Sequence, residues 1–239
     1  MIKILLVAAL LLPLPLQVLA QYDIATLDLD GDLDTWYTET LGLENQDLFE
    51  GTVYLLPRLS PYTHYFYESE RWVNGEMAFD GRLYRDIEMI YDLVDDVLVI
   101  RNPNFYVADF NGLRVKQSLV SQFKIGDTKF VRLEDDAPAG AGFYHLLYES
   151  DVINVYIKHK KVQEHAVRYV TFTEVDDYYF EYQGNYFTYI GASSLYKGFP
   201  EQEKELKQFI RRRNYEPLPG NDLHVRIVVH QLRKMIMGQ

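Results

Sequence analysis

Residues 76–101 read Glu76-Met77-Ala78-Phe79-Asp80-Gly81-Arg82-Leu83-Tyr84-Arg85-Asp86-Ile87-Glu88-Met89-Ile90-Tyr91-Asp92-Leu93-Val94-Asp95-Asp96-Val97-Leu98-Val99-Ile100-Arg101. Two turn dipeptides, Asp80-Gly81 and Asp95-Asp96, divide the stretch into three runs of β-type residues. Gly, Asn and Asp accept the positive φ angles that tight β-turns require, so each dipeptide is a hairpin signal. In the middle run, alternation puts Leu83, Ile87, Met89 and Tyr91 on one face. Strands joined by short turns pair antiparallel, so the stretch predicts three neighbouring strands of a meander.

The same punctuation extends in both directions. Asn74-Gly75, Asn111-Gly112, Gly126-Asp127 and Gly184-Asn185 also fall between apolar or alternating stretches. Further strands are expected at 122–125, 129–133, 143–149, 152–158, 169–173, 178–182 and 186–190. A meander of about ten strands rarely stays flat, so a curved sheet or partly closed barrel is expected. An outer-membrane barrel is disfavoured, because most runs are shorter than the ~10 residues it uses and several carry charge on both faces.

Beyond residue 190 the period changes. Ser193-Ser194 reads as the cap of a short helical turn leading to Phe199. Pro200 suits a first helical position and is followed by Glu201, Glu203 and Glu205, with Leu206, Phe209 and Ile210 as the buried stripe. Arg211-Arg212-Arg213 ends this helix and complements its dipole. Pro217-Leu218-Pro219-Gly220 stops it, and a second helix is expected over 222–237, capped by Asn221 or Asp222. Leu223, Ile227, Leu232 and Ile236 are its expected inward face. The fold class is α+β, mainly β: a long antiparallel meander followed by two C-terminal helices within about 194–237. Residues 51–239 read as a single domain.

The chain opens Met1-Ile2-Lys3, runs apolar from Ile4 to Leu16 and reaches Val18-Leu19-Ala20. A positive start, an apolar run and small residues at a cleavage site mark residues 1–20 as a secretory signal peptide. Pro13 and Pro15 interrupt the run, which falls short of the ~20 residues a membrane span needs. Cleavage before Gln21 leaves 219 residues and, with Lys3 removed, moves the net charge from −11 to −12. There are no cysteines, so disulfides, a lipid anchor on an N-terminal Cys and a thiol nucleophile are all excluded. The acidic balance argues against nucleic acid and against docking on an anionic bilayer.

The most suggestive motif lies in the acidic segment 21–50, where Asp28, Asp30, Asp32 and Asp34 alternate around Gly31. Calcium takes six to eight oxygen ligands, but an EF-hand loop wants Gly where Leu33 stands; a solvated acidic turn is the favoured reading. The histidines are His64, His145, His159, His165, His224 and His230. None has zinc-helix spacing, and His159 and His165 on one strand would stand ~20 Å apart, so surface or packing roles are expected. The text Gly191-Ala192-Ser193-Ser194 lacks the second glycine of a nucleophile elbow. No phosphate loop or dinucleotide fingerprint appears. No catalytic, cofactor-binding or metal-ligating residue is therefore assigned. Tyrosine is the compositional anomaly, with 20 Tyr beside 13 Phe and 2 Trp. The clusters at 62–67 and 178–182 read as cross-strand packing or as an interaction surface.

The run from Gly81 to Val99, with its Gly81-Arg82-Leu83-Tyr84 hairpin, resembles exported β-rich proteins of Bacteroidota, a family of unknown function. Gly142-Phe143-Tyr144-His145-Leu146-Leu147-Tyr148 and Leu195-Tyr196-Lys197-Gly198-Phe199-Pro200 are similar to the same group. The resemblance covers most of 50–215, implies a secreted protein of a Gram-negative cell and carries no catalytic residues. The leading expectation is a non-enzymatic periplasmic or envelope protein, or one released outside the cell. It would present its sheet to an envelope partner. A carrier of a small apolar ligand comes second and a carboxylate-based glycan hydrolase third. No cofactor, no nucleic-acid partner and no transmembrane helix after signal removal are expected.

Overall fold

The structure is a computed structural model that describes residues 47–55, 63–102, 111–165 and 170–238. The signal segment and the aspartate run at 28–34 lie outside these residues, as does the side chain of His165. Eleven strands form one antiparallel sheet that stays open. They are β1 (Thr52–Leu55), β2 (Val73–Phe79), β3 (Arg82–Asp92), β4 (Val97–Arg101), β5 (Asn111–Arg114), β6 (Val120–Ile125), β7 (Thr128–Leu133), β8 (Gly142–Tyr148), β9 (Ile153–His165), β10 (Val170–Tyr182) and β11 (Asn185–Tyr189). Three helices follow: α1 (Ala192–Gly198), α2 (Glu203–Arg213) and α3 (Asp222–Ile236).

The expected mainly-β α+β class is the observed one. Its strand order, β1-β5-β4-β3-β2-β6-β7-β8-β9-β10-β11, is two meanders joined where β6 pairs with β2. The chain crosses from β5 to β6 through a 3-10 turn at Gln117–Leu119. Gln117 anchors that crossing, accepting from the Leu98 amide and donating to the Leu98 and Val115 carbonyls.

Several local expectations are corrected. Leu83 does not share a face with Ile87; it is 47% exposed, and Tyr84 points inward instead. Between Gly75↔Ile87 and Met77↔Tyr84 the register shifts, so Glu76 faces both Arg85 and Asp86, with Asp86 at φ 56°. A one-residue bulge reverses the parity of a strand, which strict alternation cannot show. Asn74-Gly75 and Asn111-Gly112 are not turns but lie within β2 and β5. These glycines serve close approach: a Cβ on Gly75 would stand 2.2 Å from the Lys124 carbonyl oxygen, and one on Gly112 2.3 Å from Val99 Cγ1. The strands expected at 169–173 and 178–182 are, from Val170 on, one continuous β10, which pairs with β9 from Val170↔His165 to Tyr182↔Ile153; Tyr169 lies outside the described residues.

The helical tail also differs. Pro200 lies in the connection between α1 and α2, because Phe199 is buried against Phe180 and Tyr182 and turns the chain there. The inward stripe of α3 is Val225, Val228, Val229 and Leu232, while Leu223 is 66% exposed. Asn221 is the cap, its side chain accepting from the His224 amide.

The concave face carries two cores in series. The first contains Met77, Phe79, Tyr84, Ile87, Met89, Tyr91, Phe123, Phe130 and Phe143. Its centre is aromatic: Phe123 and Phe130 stack at 4.7 Å, and Tyr91 meets both of them and Phe143 edge-on. The second packs Leu147, Val155, Ile157, Tyr178 and Phe180 beneath the helices.

A strap at residues 63–67 runs beside the end of β3, where β2 has already stopped. Its hydrogen bonds are Tyr67 N–H to the Tyr91 carbonyl (2.8 Å) and Leu93 N–H to the Tyr65 carbonyl (2.9 Å). Lys161 of β9 ties the strap down from the other side, donating to the His64 and Phe66 carbonyls at 3.0 and 2.7 Å. Its own amide donates to the Leu93 carbonyl at 3.2 Å. The sheet thus bends until β9 reaches the β3–β4 turn.

Asp92, 2% exposed, sits at that junction. It accepts from Tyr54 Oη at 2.5 Å and from the Val94 and Asp95 amides at 2.8 and 3.1 Å. Burial raises its pKa above the usual 3.8 despite these donors. A carboxyl with a raised native pKa binds its proton more readily folded than unfolded. Its ionised form therefore costs stability at neutral pH, and stability is recovered as pH falls through the native pKa toward 3.8. Asp92→Asn keeps an acceptor for both amides and a partner for Tyr54, so it should be at least as stable as wild type at pH 7. Asp92→Ala strands all three donors and should lose about 3 kcal/mol. Urea unfolding at pH 7 separates the two; equal damage by both substitutions would refute the burial account.

Candidate functional site

Two features of the fold could carry function. The first is the seam between the two cores. Along β8, Phe143 belongs to the first core and Leu147 to the second, and His145 stands between them on the same face. Along β9, His159 follows Val155 and Ile157 of the second core at the same two-residue interval. Both imidazoles are buried, and their rings lie 5.4 Å apart and 20° from parallel. His145 Nδ1 is 3.1 Å from His159 Nε2, and His159 Nδ1 is 2.7 Å from Asp176 Oδ1. Phe130 and the strap residue Tyr67 wall the pair in, with the Tyr67 ring 5.2 Å from that of His159.

The chemistry of this chain is directional. A carboxylate only accepts, so Asp176 fixes the His159 proton on Nδ1. His159 Nε2 is then an acceptor and takes the Nδ1 proton of His145. His145 Nε2 is left as a lone pair without a hydrogen-bond partner among the described residues. Burial, then the neighbouring His159 and the Arg226 charge on α3, lower the His145 pKa to about 4. The result is an oriented relay of carboxylate, imidazole and imidazole, whose outer member His145 is uncharged at neutral pH.

Of the six histidines, the structure brings together His145 and His159, a pair separated by fourteen residues that no local spacing rule reaches. Only the strand register, Asp176↔His159 and His145↔Ile157, places them. His224 and His230, six apart, are on α3 and bond to Asn221 and Tyr148 respectively. The arginines 211–213 do end α2, as expected.

The second feature is the outer edge of the sheet. The β10–β11 hairpin closes at Tyr182↔Asn185 around Gln183-Gly184, both at positive φ. In a two-residue hairpin the closing pair is hydrogen-bonded and bonding then alternates. Tyr186 and Thr188 therefore turn their N–H and C=O groups away from β10, toward the edge. Phe187 and Ile190 on this edge are 41% and 66% exposed. They line an open groove of about 420 Å³ against α1, with Phe180, Ser193, Ser194 and Lys197 completing the walls. Ser193 and Ser194 do not cap the short helix but lie inside α1: the cap is Gly191, without a side-chain cap bond, and Ser194 Oγ accepts from the Ile190 amide just before it.

No family model, curated protein or solved structure matches the chain.

The relay predicts a specific tautomer pattern. In ¹⁵N-resolved imidazole spectra of the metal-free protein at pH 7, His159 and His145 should each carry the proton on Nδ1. His145 should remain neutral at pH 5. Protonation of His145 Nε2 at pH 7, or a charged His145 at pH 5, would contradict the arrangement.

Proposed function

We propose that this is an exported, non-enzymatic protein of the cell envelope that binds an extended segment of a partner protein along β11. The observation that carries the reading is the coincidence of two things at one edge. Tyr186 and Thr188 present outward backbone groups, and an apolar groove lies alongside on the face shared by Phe180 and Phe187. A strand added to an exposed edge gains main-chain hydrogen bonds, and its alternate side chains fall to one face. Here those side chains would drop into the groove between β11 and α1, with Lys197 at its wall to meet a polar or acidic position.

The filled interior favours this over a carrier. The concavity is occupied by Phe123, Phe130, Phe143 and Tyr91, and the space beneath the helices by Val225, Val228 and Leu232. No helix among the described residues is long and apolar enough to cross a membrane. Export and envelope location rest on the reading of residues 1–20 and on the resemblance to exported Bacteroidota proteins.

Thr188→Pro tests the reading, since it removes an outward N–H while leaving the β10–β11 ladder its bonds. Peptides of twelve residues selected from a random display library against the wild-type chain should bind Thr188→Pro at least tenfold more weakly. Hydrogen exchange should show them protecting Tyr186 and Thr188. Phe187→Ser should weaken them by a similar factor. Selected peptides that bind both variants as well as wild type, or an empty selection, would overturn the proposal.

A further inference from the structure

The β9–β10 hairpin carries a second constellation that the edge-strand reading does not use. Asp176 pairs directly with His159 across the two strands, and Glu174 lies two residues along on the same face. One ligand atom from each of His159, Glu174 and Asp176 falls within 4.8 Å of the others. The imidazole is buried, Asp176 is half-buried and Glu174 is exposed, so the cluster has a closed floor and an open mouth.

We propose that His159, Glu174 and Asp176 form a divalent-metal site suited to Zn²⁺, with His145 as the outer partner that orients the histidine ligand. Charge supports it first. Among the described residues neither carboxylate has a lysine or arginine within ion-pair distance; the salt bridge at Asp176 is to His159 itself. Lys161, directly across the ladder from Glu174, spends its ammonium on the His64 and Phe66 carbonyls. Lys161 feels the Glu174 charge, but neither carboxylate is ion-paired to a lysine or arginine among the described residues.

The donor set supports zinc. One imidazole nitrogen and two carboxylate oxygens suit a four-coordinate Zn²⁺ whose last position is left for water or a ligand, and imidazole disfavours calcium and magnesium. Bound at ~2.0–2.1 Å by each donor, the ion needs nitrogen and oxygen roughly 3.3 Å apart. His159 Nδ1 and Asp176 Oδ1 are 2.7 Å apart, so the partly exposed carboxylate has only to move back by about half an ångström.

The outer partner is already in place. A metal-bound histidine usually hydrogen-bonds through its other nitrogen to a fixed neighbour, and His145 Nδ1 stands 3.1 Å from His159 Nε2. Zinc displaces the Nδ1 proton of His159, which leaves to solvent. The proton between the rings moves from His145 Nδ1 to His159 Nε2, and His145 Nε2 gains a proton from solvent. The pair neither gains nor loses a proton, and both histidines change tautomer.

Zinc titration of the full chain by calorimetry, read together with ¹⁵N imidazole spectra, tests this. One equivalent of Zn²⁺ should bind, and both rings should move their proton from Nδ1 to Nε2. Glu174→Gln, at an exposed site that leaves the fold intact, should weaken binding at least tenfold, as should Asp176→Asn. His145→Gln should weaken it between ten- and a hundredfold. The inference is overturned by three results: no stoichiometric binding, affinity unchanged in Glu174→Gln and Asp176→Asn, or zinc uptake that leaves the His145 and His159 tautomers as they were.

Discussion

The bend of the sheet depends on the ion pair between Asp96 and Lys158. The β8–β9 ladder ends at His145↔Ile157, and from there the two strands part. The next β8 groups that would pair with β9 belong to Phe143. Asp96 Oδ2 takes its amide at 3.4 Å and the Lys158 ammonium takes its carbonyl at 3.0 Å. Lys158 and Asp96 bond to each other at 2.6 Å, and Tyr91 Oη donates to the other Asp96 oxygen. Burial lowers the Lys158 pKa against the attraction of Asp96, so the pair is held where each charge needs the other. Such a pair adds little net stability over apolar residues, but loss of one partner strands the other at a cost of several kcal/mol. What it specifies is geometry: the β3–β4 turn can sit nowhere but in the gap between β8 and β9. Gly142 belongs to the same fit, since a Cβ there would lie 2.0 Å from Asp96 Oδ2.

Everything at the seam follows from that wedge. Once β9 has left β8 it needs new partners, and the strap and Leu93 provide them through Lys161. The strap in turn brings Tyr67 over His159 and Tyr65 against Phe172 of β10, at 5.2 and 5.1 Å between ring centroids. The His145–His159 contact lies where the two cores meet and puts polar side chains at inward positions. A buried histidine pair is tolerated there because each ring nitrogen but one has a partner, which keeps the desolvation cost small.

How much of this was legible follows from the range of each signal. The hairpins at Asp80-Gly81 and Gly126-Asp127 are local, and the turn chemistry reveals them; the last was expected at Gly184-Asn185 and turns one residue earlier, at Gln183-Gly184, with Asn185 already paired in β11. The mainly-β class and the helical tail are equally readable, because period is a property of ten or fifteen consecutive residues. Gly75 and Gly112 misled for a physical reason. A glycine required by a crowding neighbour strand looks the same in sequence as one required by a positive φ. The bulge at Asp86 is likewise silent until Tyr84 is seen inside and Leu83 outside. The candidate site is the least legible part. His145, His159 and Asp176 meet only through two ladder registers, and a one-residue slip in either would turn one of them to the opposite face.

The tyrosine excess and the acidic excess are connected. Tyr54 donates to Asp92 at 2.5 Å, Tyr156 to Glu181 at 2.8 Å and Tyr178 to Asp222 at 2.7 Å, and Tyr91 donates to Asp96. Each bond joins separate pieces of the fold: β1 to the end of β3, β9 to β10, β10 to the start of α3, and β3 to its own turn. Tyr189 reaches the Pro217 carbonyl at 2.5 Å and Tyr144 the Gly140 carbonyl at 2.8 Å, so the pattern extends to loops without an acid. Burial raises the pKa of all six phenols, which keeps them protonated donors. A hydrogen bond to a carboxylate is stronger than one between neutral groups, and a tyrosine ring fills the core while its hydroxyl reaches the chain beyond. Phenylalanine would supply the same apolar area and none of the tether. In a chain without cysteine, these phenol contacts hold loop to sheet and helix to strand.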